Sequence, residues 1–167
     1  MSTFDSDRFR EVIGHFATGV TIVTARDGGV DFGVTVNAVC SLSLEPAMLL
    51  VCLNRTSRTQ GAVSRAGSFA VNILDITQRE LAERFATNRD DKFDGVSVTY
   101  GTLGHPLLKD ALAHVECRVV DQATGGTHTV FFAEVHRAER FEGAPLLYFR
   151  GELGWLSLER GDSEVDS

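Results

Sequence analysis

The sequence predicts a mainly β fold, an antiparallel sheet closed into a barrel with a few helices on its outside, and three observations carry that expectation. Segments with strand-like patterning number about seven, against three or four short helical ones. They do not alternate strand, helix, strand, as a doubly wound parallel sheet requires. The 167 residues hold no internal repeat, low-complexity block or interdomain linker, so the length fits one domain. That domain is expected over residues 1–160, with a polar, acidic tail at 161–167 expected to be disordered.

The elements follow in order. Phe9, Val12, Ile13 and Phe16 recur at helical spacing and predict an amphipathic helix from about Asp5 to Ala17, broken by Gly19. Val20 to Thr24 is rich in β-branched residues, and Asp27-Gly28-Gly29 turns it into a second strand at Phe32 to Asn37, a β-hairpin. Met48 to Leu53 is a continuous apolar run preceded by Pro46, and predicts a strand buried on both faces. Ser68 to Leu74 is a fourth strand. Thr77-Gln78-Arg79-Glu80 has the pattern of a capping box, with Leu81 and Phe85 on one face of the helix it opens. A turn-rich loop at Asn88 to Gly95 and a short segment at Leu107 to Ala113 precede long strands at Val115 to Asp121 and His128 to Glu139. A last strand pair is expected at Leu146 to Phe149 and Gly154 to Leu158.

Charge and composition exclude several functions. Lys and Arg number 16 against 23 Asp and Glu, so the net charge is 16 − 23 = −7. That balance disfavours sequence-independent binding to nucleic acid or anionic lipid, which needs a basic surface. A chain of this size buries about 70% of its unfolded surface and needs no disulfide or metal staple. The three cysteines, Cys40, Cys52 and Cys117, show no paired spacing and lie in apolar or strand-like stretches, so they read as buried free thiols rather than a catalytic nucleophile, suited to a reducing cytosol. Residues Met1 to Arg10 do not resemble a signal peptide, and no apolar run approaches the roughly 20 residues of a membrane span. A cytoplasmic protein without membrane or nucleic-acid partners is expected.

The absent motifs matter as much. No Gly-x-Gly-x-x-Gly follows a strand, and no Gly-Lys-Ser/Thr occurs, so neither a Rossmann site nor a Walker A loop is expected. His128 and His136 share strand parity but would lie roughly 26 Å apart along a strand. No metal site is expected.

Three segments remain as candidate chemistry. In Asn54-Arg55-Thr56-Ser57-Arg58-Thr59-Gln60, Ser57 and Gln60 have capping-box spacing and place a helix start near Arg58. A strand ending at a helix start, with arginines and hydroxyls, suits a phosphate; an ordinary surface loop capping a helix has the same pattern. Gly33 to Ser43 ends in small and hydroxyl residues, leaving main chain reachable by a flat heterocycle; an edge strand running into a turn before Pro46 looks alike. Gly125-Gly126-Thr127-His128 puts His128 at a strand mouth, as a phosphate or carboxamide partner or as a structural histidine.

Taken together the segments resemble the short-chain flavin reductase family, the components that supply reduced flavin to two-component monooxygenases. The resemblance spans about Phe9 to Leu156. It is carried by Phe16-Ala17-Thr18-Gly19-Val20-Thr21-Ile22-Val23-Thr24, by Gly33 to Ser43 with Glu45-Pro46, and by Val51-Cys52-Leu53-Asn54. Phe69-Ala70-Val71-Asn72-Ile73-Leu74, Leu81-Ala82-Glu83-Arg84-Phe85 with Lys92-Phe93, Gly126-Thr127-His128, and Pro145 to Gly151 complete it. Many relatives carry Gly-Asp-His where this chain has Gly126-Thr127-His128, so no role is assigned to an acid there.

The resemblance implies a split, Greek-key β-barrel that binds FMN or FAD, as a homodimer with a monooxygenase partner. It implies that Thr35, Val36, Asn37 and Ala38 line the isoalloxazine edge, and that Ser41, Asn54, Arg58 and Thr59 lie near the ribityl-phosphate. Cys52 and Leu53 would approach by their backbone, and Arg84 and Phe85 would flank the ring. His128, Tyr148, Phe149 and Arg150 would receive NAD(P)H, with NADH expected over NADPH because no arginine pair for a 2′-phosphate is evident. The implied reaction is hydride transfer from NAD(P)H to flavin. No protein nucleophile is expected, and His128 is the candidate for positioning nicotinamide. A non-catalytic FMN-binding split-barrel protein is the alternative.

Overall fold

The structure, a computed structural model, describes residues 4–156. The expected acidic tail at 161–167 lies outside them. The chain runs α1 (Ser6–Ile13), β1 (Thr18–Gly19), β2 (Thr21–Asp27), β3 (Val30–Val36), β4 (Val39–Leu44), β5 (Ala47–Asn54), α2 (Arg58–Ala66) and β6 (Ser68–Ile73). A single 3₁₀ turn (Ile76–Gln78) leads into α3 (Arg79–Phe85). There follow β7 (Val98–Tyr100), β8 (Pro106–Leu108), β9 (Ala113–Gly125), β10 (His128–Arg140), β11 (Leu147–Phe149) and β12 (Glu152–Gly154).

Seven strands form one sheet in the order β3-β2-β6-β9-β10-β5-β4, and every pairing in it is antiparallel. Its two edges, β3 and β4, are consecutive in the chain and joined by Asn37 and Ala38 alone. So short a connection spans only about 10 Å, so the sheet must curl until its edges nearly meet. The barrel is therefore split between β3 and β4, at the segment whose main chain the sequence marks as reachable. A three-stranded sheet, β1-β11-β12, and the β7-β8 pair complete the fold.

Alternation sorts the strands into two cores. Val23, Val51, Leu53, Phe69, Val71 and Phe131 fill the barrel, and α2 lays Ala62 and Val63 against them. Val20, Ile22, Leu74, Leu108 and Leu146 face the other way, under Ala82 and Phe85 of α3. Asn72 is fully buried and satisfied: its amide donates to Ile22 O (3.0 Å) and Thr24 Oγ1 (3.2 Å), and its Oδ1 accepts from Leu108 N (2.8 Å). It pins β2, β6 and β8 together.

Four sequence expectations change here. Burial on both faces belongs to β2 and β6, whereas β5 buries only Leu49, Val51 and Leu53. On the outer side of β5, Met48, Leu50 and Cys52 are only half-buried. The capping box opens two residues earlier than expected: the Asp75 carboxylate accepts from Thr77 N (2.9 Å) and Gln78 Oε1 accepts from Asp75 N (3.1 Å). A carboxylate is the stronger acceptor, and the Thr77 hydroxyl itself donates to it (2.7 Å). The N-terminal helix ends at Gly14 rather than near Ala17, and none of its residues is buried. The final pair is tighter than expected, turning at Arg150-Gly151 into Glu152–Gly154.

Candidate functional site

Successive lengths of the edge strand β3 form walls of two clefts that share Ala86, just past the end of α3. The larger, about 900 Å³, lies between residues 30–34 of β3, residues Asn54 and Thr56 to Thr59, and the loop from Ala86 to Phe93. The smaller, about 400 Å³, lies between Thr35, Asn37, Ala82, Tyr148 and the turn Gly151 to Leu153.

The larger cleft is anion-receptive for a local reason. Asn54 Oδ1 accepts from Thr56 N (2.9 Å) and from the Thr56 hydroxyl (2.8 Å), which turns the chain out of β5 and into α2. Ser57 sits at the N-cap of α2 yet makes no side-chain cap bond, so the expected Ser57–Gln60 box does not form. Gln60 instead donates to Ser64 Oγ and Thr129 Oγ1, both at 3.2 Å. The first amides of α2 thus have no side-chain cap, at the positive end of the helix dipole. Arg58 and Lys92 add charge from separate elements. Lys92 Nζ donates to Gly33 O (3.1 Å) and Phe85 O (3.2 Å), and burial, helped by the Arg58 charge, pushes its pKa down.

Gly33 has a steric duty in the same wall. A Cβ there would lie 2.5 Å from the Phe85 ring and 3.1 Å from Phe93, so only glycine lets those rings pack against β3. Phe85 and Phe93 meet edge to face, centroids 4.9 Å apart. In the smaller cleft the Thr35 hydroxyl donates to Ala82 O (2.6 Å), fixing α3 against β3. Arg79 is held by Glu83 (3.0 Å) and by Leu153 O (3.3 Å).

The expected site residues fall into groups. Asn54, Arg58 and Thr59 come together in the larger cleft, while Thr35, Asn37 and Tyr148 come together in the smaller. Val36 and Leu53 point into the core, and Ala38 and Cys52 are joined backbone to backbone, Cys52 N donating to Ala38 O (3.0 Å). Ser41 lies on β4 opposite Leu49 and lines neither cleft. Phe85 is wholly buried, and Arg84 turns away to hold the following loop through Asp94 O (2.8 Å).

The four residues expected to meet nicotinamide are divided. His128 opens β10 directly opposite Asn54, half-buried, with Nδ1 2.9 Å from the Thr127 hydroxyl; Thr127 O accepts from Arg55 N (3.0 Å). It stands beside the phosphate-type loop. Tyr148 belongs to the other sheet, opposite Thr18. Phe149 is exposed and meets the His15 ring edge-on, and Arg150 is exposed at φ 51° with its N–H donating to Gly14 O (2.8 Å). Gly33 and Val34, the start of the expected small-residue stretch, line the larger cleft, and Lys92, Phe93, Arg79 and Leu153, to which the sequence assigns no role, also line the clefts. Lys92-Phe93, a cation and an aromatic inside a turn-rich loop, was the one visible signal among them.

Residues 13–157 match the family model described as a flavin reductase like domain. The chain is 49% identical over 154 residues to the reductase component of a 4-nitrophenol 4-monooxygenase/4-nitrocatechol 2-monooxygenase from Rhodococcus opacus, covering 92% of this chain and 83% of that one. It is 40% identical to an NADH-dependent FMN reductase, AsuE2, from Streptomyces nodosus subsp. asukaensis, covering 86% and 80%. Its structure is similar to an NADH:FAD oxidoreductase, SgcE6, from Streptomyces globisporus, solved in complex with NAD and FAD fragments: TM-score 0.89, 32% identity, 98% of each chain covered.

Proposed function

The chain belongs to the flavin reductase like domain family, and from that premise we propose that it is an NAD(P)H:flavin oxidoreductase that supplies reduced flavin to a partner monooxygenase. NADH is the donor and FMN or FAD the acceptor, in keeping with its relatives. The observation in the chain itself that best supports this reading is the pair of clefts meeting at Ala86, one anion-receptive and one bordered by the reachable main chain at the barrel split. Sizes of about 900 and 400 Å³ fit the range of cofactor pockets.

When bound together, flavin and nicotinamide supply the chemistry, a hydride passing from one ring to the other. The chain binds and orients. The uncapped amides of α2, with Arg58 and Lys92, hold the anionic tail; Asn54 and Thr59 shape that end. The end of β3 and the connection through Asn37 and Ala38 offer main-chain N–H groups to the ring at the open edge of the sheet, while the carbonyls of Val36, Asn37 and Ala38 accept from Thr21 Oγ1, Val39 N and Cys52 N. Leu53 and Phe85 support this seat from the core and Cys52 holds its floor through the bond to Ala38 O, whereas Ser41 and Arg84 line neither cleft. Tyr148, in the smaller cleft, and His128 are the residues left to receive the nucleotide, His128 through the ring nitrogen turned away from Thr127, while Phe149 and Arg150 line neither cleft and pack against the end of α1.

The single domain over residues 1–160 acts as a homodimer in the cytoplasm. Apolar residues of α1 and of the segment just after it support the dimer: Phe9 is 57%, Val12 62% and, past the helix end, Phe16 71% exposed in the single chain. All three cysteines are free, but only Cys117 is buried as expected, with Cys52 half-buried and Cys40 exposed; no helix among the described residues is long and apolar enough to cross a membrane. The test is a steady-state assay of NADH consumption crossing FMN and FAD with NADH and NADPH. NADH consumption with either flavin is expected. A yellow protein that leaves NADH untouched is a flavin binder instead.

A further inference from the structure

The charges around the larger cleft are unevenly committed. Asp31 is held by Arg26 (2.9 Å) and by the Tyr100 hydroxyl (2.7 Å), and Arg89 is clamped by both oxygens of Asp91. Lys92 is tied to two carbonyls inside the wall. Arg58 differs. Its guanidinium reaches from the first turn of α2 to Asp90, on the opposite loop that lines the same cleft. Both side chains remain in water, 60% and 85% exposed, so the pair is weakly held and readily exchanged.

We propose that Asp90 is an internal counter-ion that a phosphoryl group must displace, and that it thereby sets how strongly the protein prefers phosphorylated flavin to riboflavin. The inference rests on the reading that flavin phosphate binds at the start of α2. In the free protein Asp90 neutralises Arg58. When a dianionic tail enters, Arg58 turns from the loop carboxylate to the phosphate, beside the uncapped amides of α2 and the half-buried charge of Lys92. Asp90 is then left facing the incoming anion, and like charges a few ångströms apart oppose each other. The carboxylate costs affinity twice, by competing for Arg58 and by repelling the phosphate. A neutral ligand tail meets neither effect, because it asks nothing of Arg58.

The test titrates FMN and riboflavin, by quenching of flavin fluorescence, into the full-length protein and its Asp90→Asn, Arg58→Gln and doubly substituted forms. Asp90→Asn is expected to tighten FMN about two- to five-fold at low salt and to leave riboflavin unchanged. Arg58→Gln is expected to weaken FMN, and in that background the gain from Asp90→Asn should shrink, since only repulsion remains. Unchanged or weakened FMN binding in Asp90→Asn, while Arg58→Gln still weakens it, overturns the counter-ion role alone. If Arg58→Gln also leaves FMN affinity untouched, the phosphate does not bind at α2 and the underlying reading fails with it. Riboflavin tightening as much as FMN would equally overturn the proposal, because the effect would then not be one of phosphate charge.

Discussion

His128 and His105 show how placement assigns one residue type to two duties. His128 sits at a strand mouth with one nitrogen beside Thr127. Replacing it with alanine should lower kcat/KM for NADH about 5- to 30-fold, the worth of one hydrogen bond of about 1–2 kcal/mol, and leave flavin affinity alone. Unchanged NADH kinetics would remove it from the site. His105 is buried and structural. Its Nδ1 accepts from Arg26 N (2.9 Å), so the ring proton is on Nε2 and is donated to Ser68 Oγ (2.7 Å). Burial pushes its pKa below the usual 6.5, although Glu116 and Asp31 pull the other way. The unfolded chain therefore takes up this proton first as pH falls, and the contribution is present above about pH 6.5 and lost below it. Thermal melts should show the wild type losing Tm between pH 7 and 5 more steeply than His105→Gln, and parallel slopes would contradict this. Cys117 is inert for a related reason: burial, then Glu116, push its thiol up to about 12.

Among the elements, β3 decides most. It forms a sheet edge, a wall of both clefts and the seat of the Phe85 and Phe93 rings. A methyl at position 33 has no room, so Gly33→Ala should destabilise the fold by about 1–3 kcal/mol in urea unfolding. It should also weaken flavin binding, because Gly33 O anchors Lys92. An alanine variant as stable as the wild type would show that the rings can shift at little cost. The helix starts teach a complementary lesson. Both capping boxes suggested by the sequence were absent as drawn, because a box is only a spacing until tertiary contacts choose among acceptors. Asp75 outcompeted Thr77 at one, and Ser64 and Thr129 drew Gln60 away at the other. The second loss leaves α2 open to an anion.

For the whole molecule, the single chain leaves an apolar account unsettled. Among the described residues the stripe on α1 and Leu44, 85% exposed, lie open, and the outer sides of β5 and β10 are only half-buried. Light scattering should give twice the 18.2 kDa chain mass. Phe9→Glu combined with Phe16→Glu should shift it towards a monomer with a lower Tm, since apolar burial drives association. A wild-type monomer would rule the homodimer out.

The residues by themselves determined the antiparallel β class, the β2–β3 hairpin at Gly28-Gly29, the turn from β5 into a helix at Arg58, and the small-residue stretch at Asn37-Ala38. Each is a local matter of alternation, turn chemistry or spacing, and such signals lie within a few neighbouring positions. Only the folded chain decided that β3 and β4 become the two edges of one curled sheet, that Lys92 reaches Gly33, and that Asp90 faces Arg58. The last two join positions tens of residues apart, and the first depends on how all seven strands are ordered, so no local pattern encodes any of them.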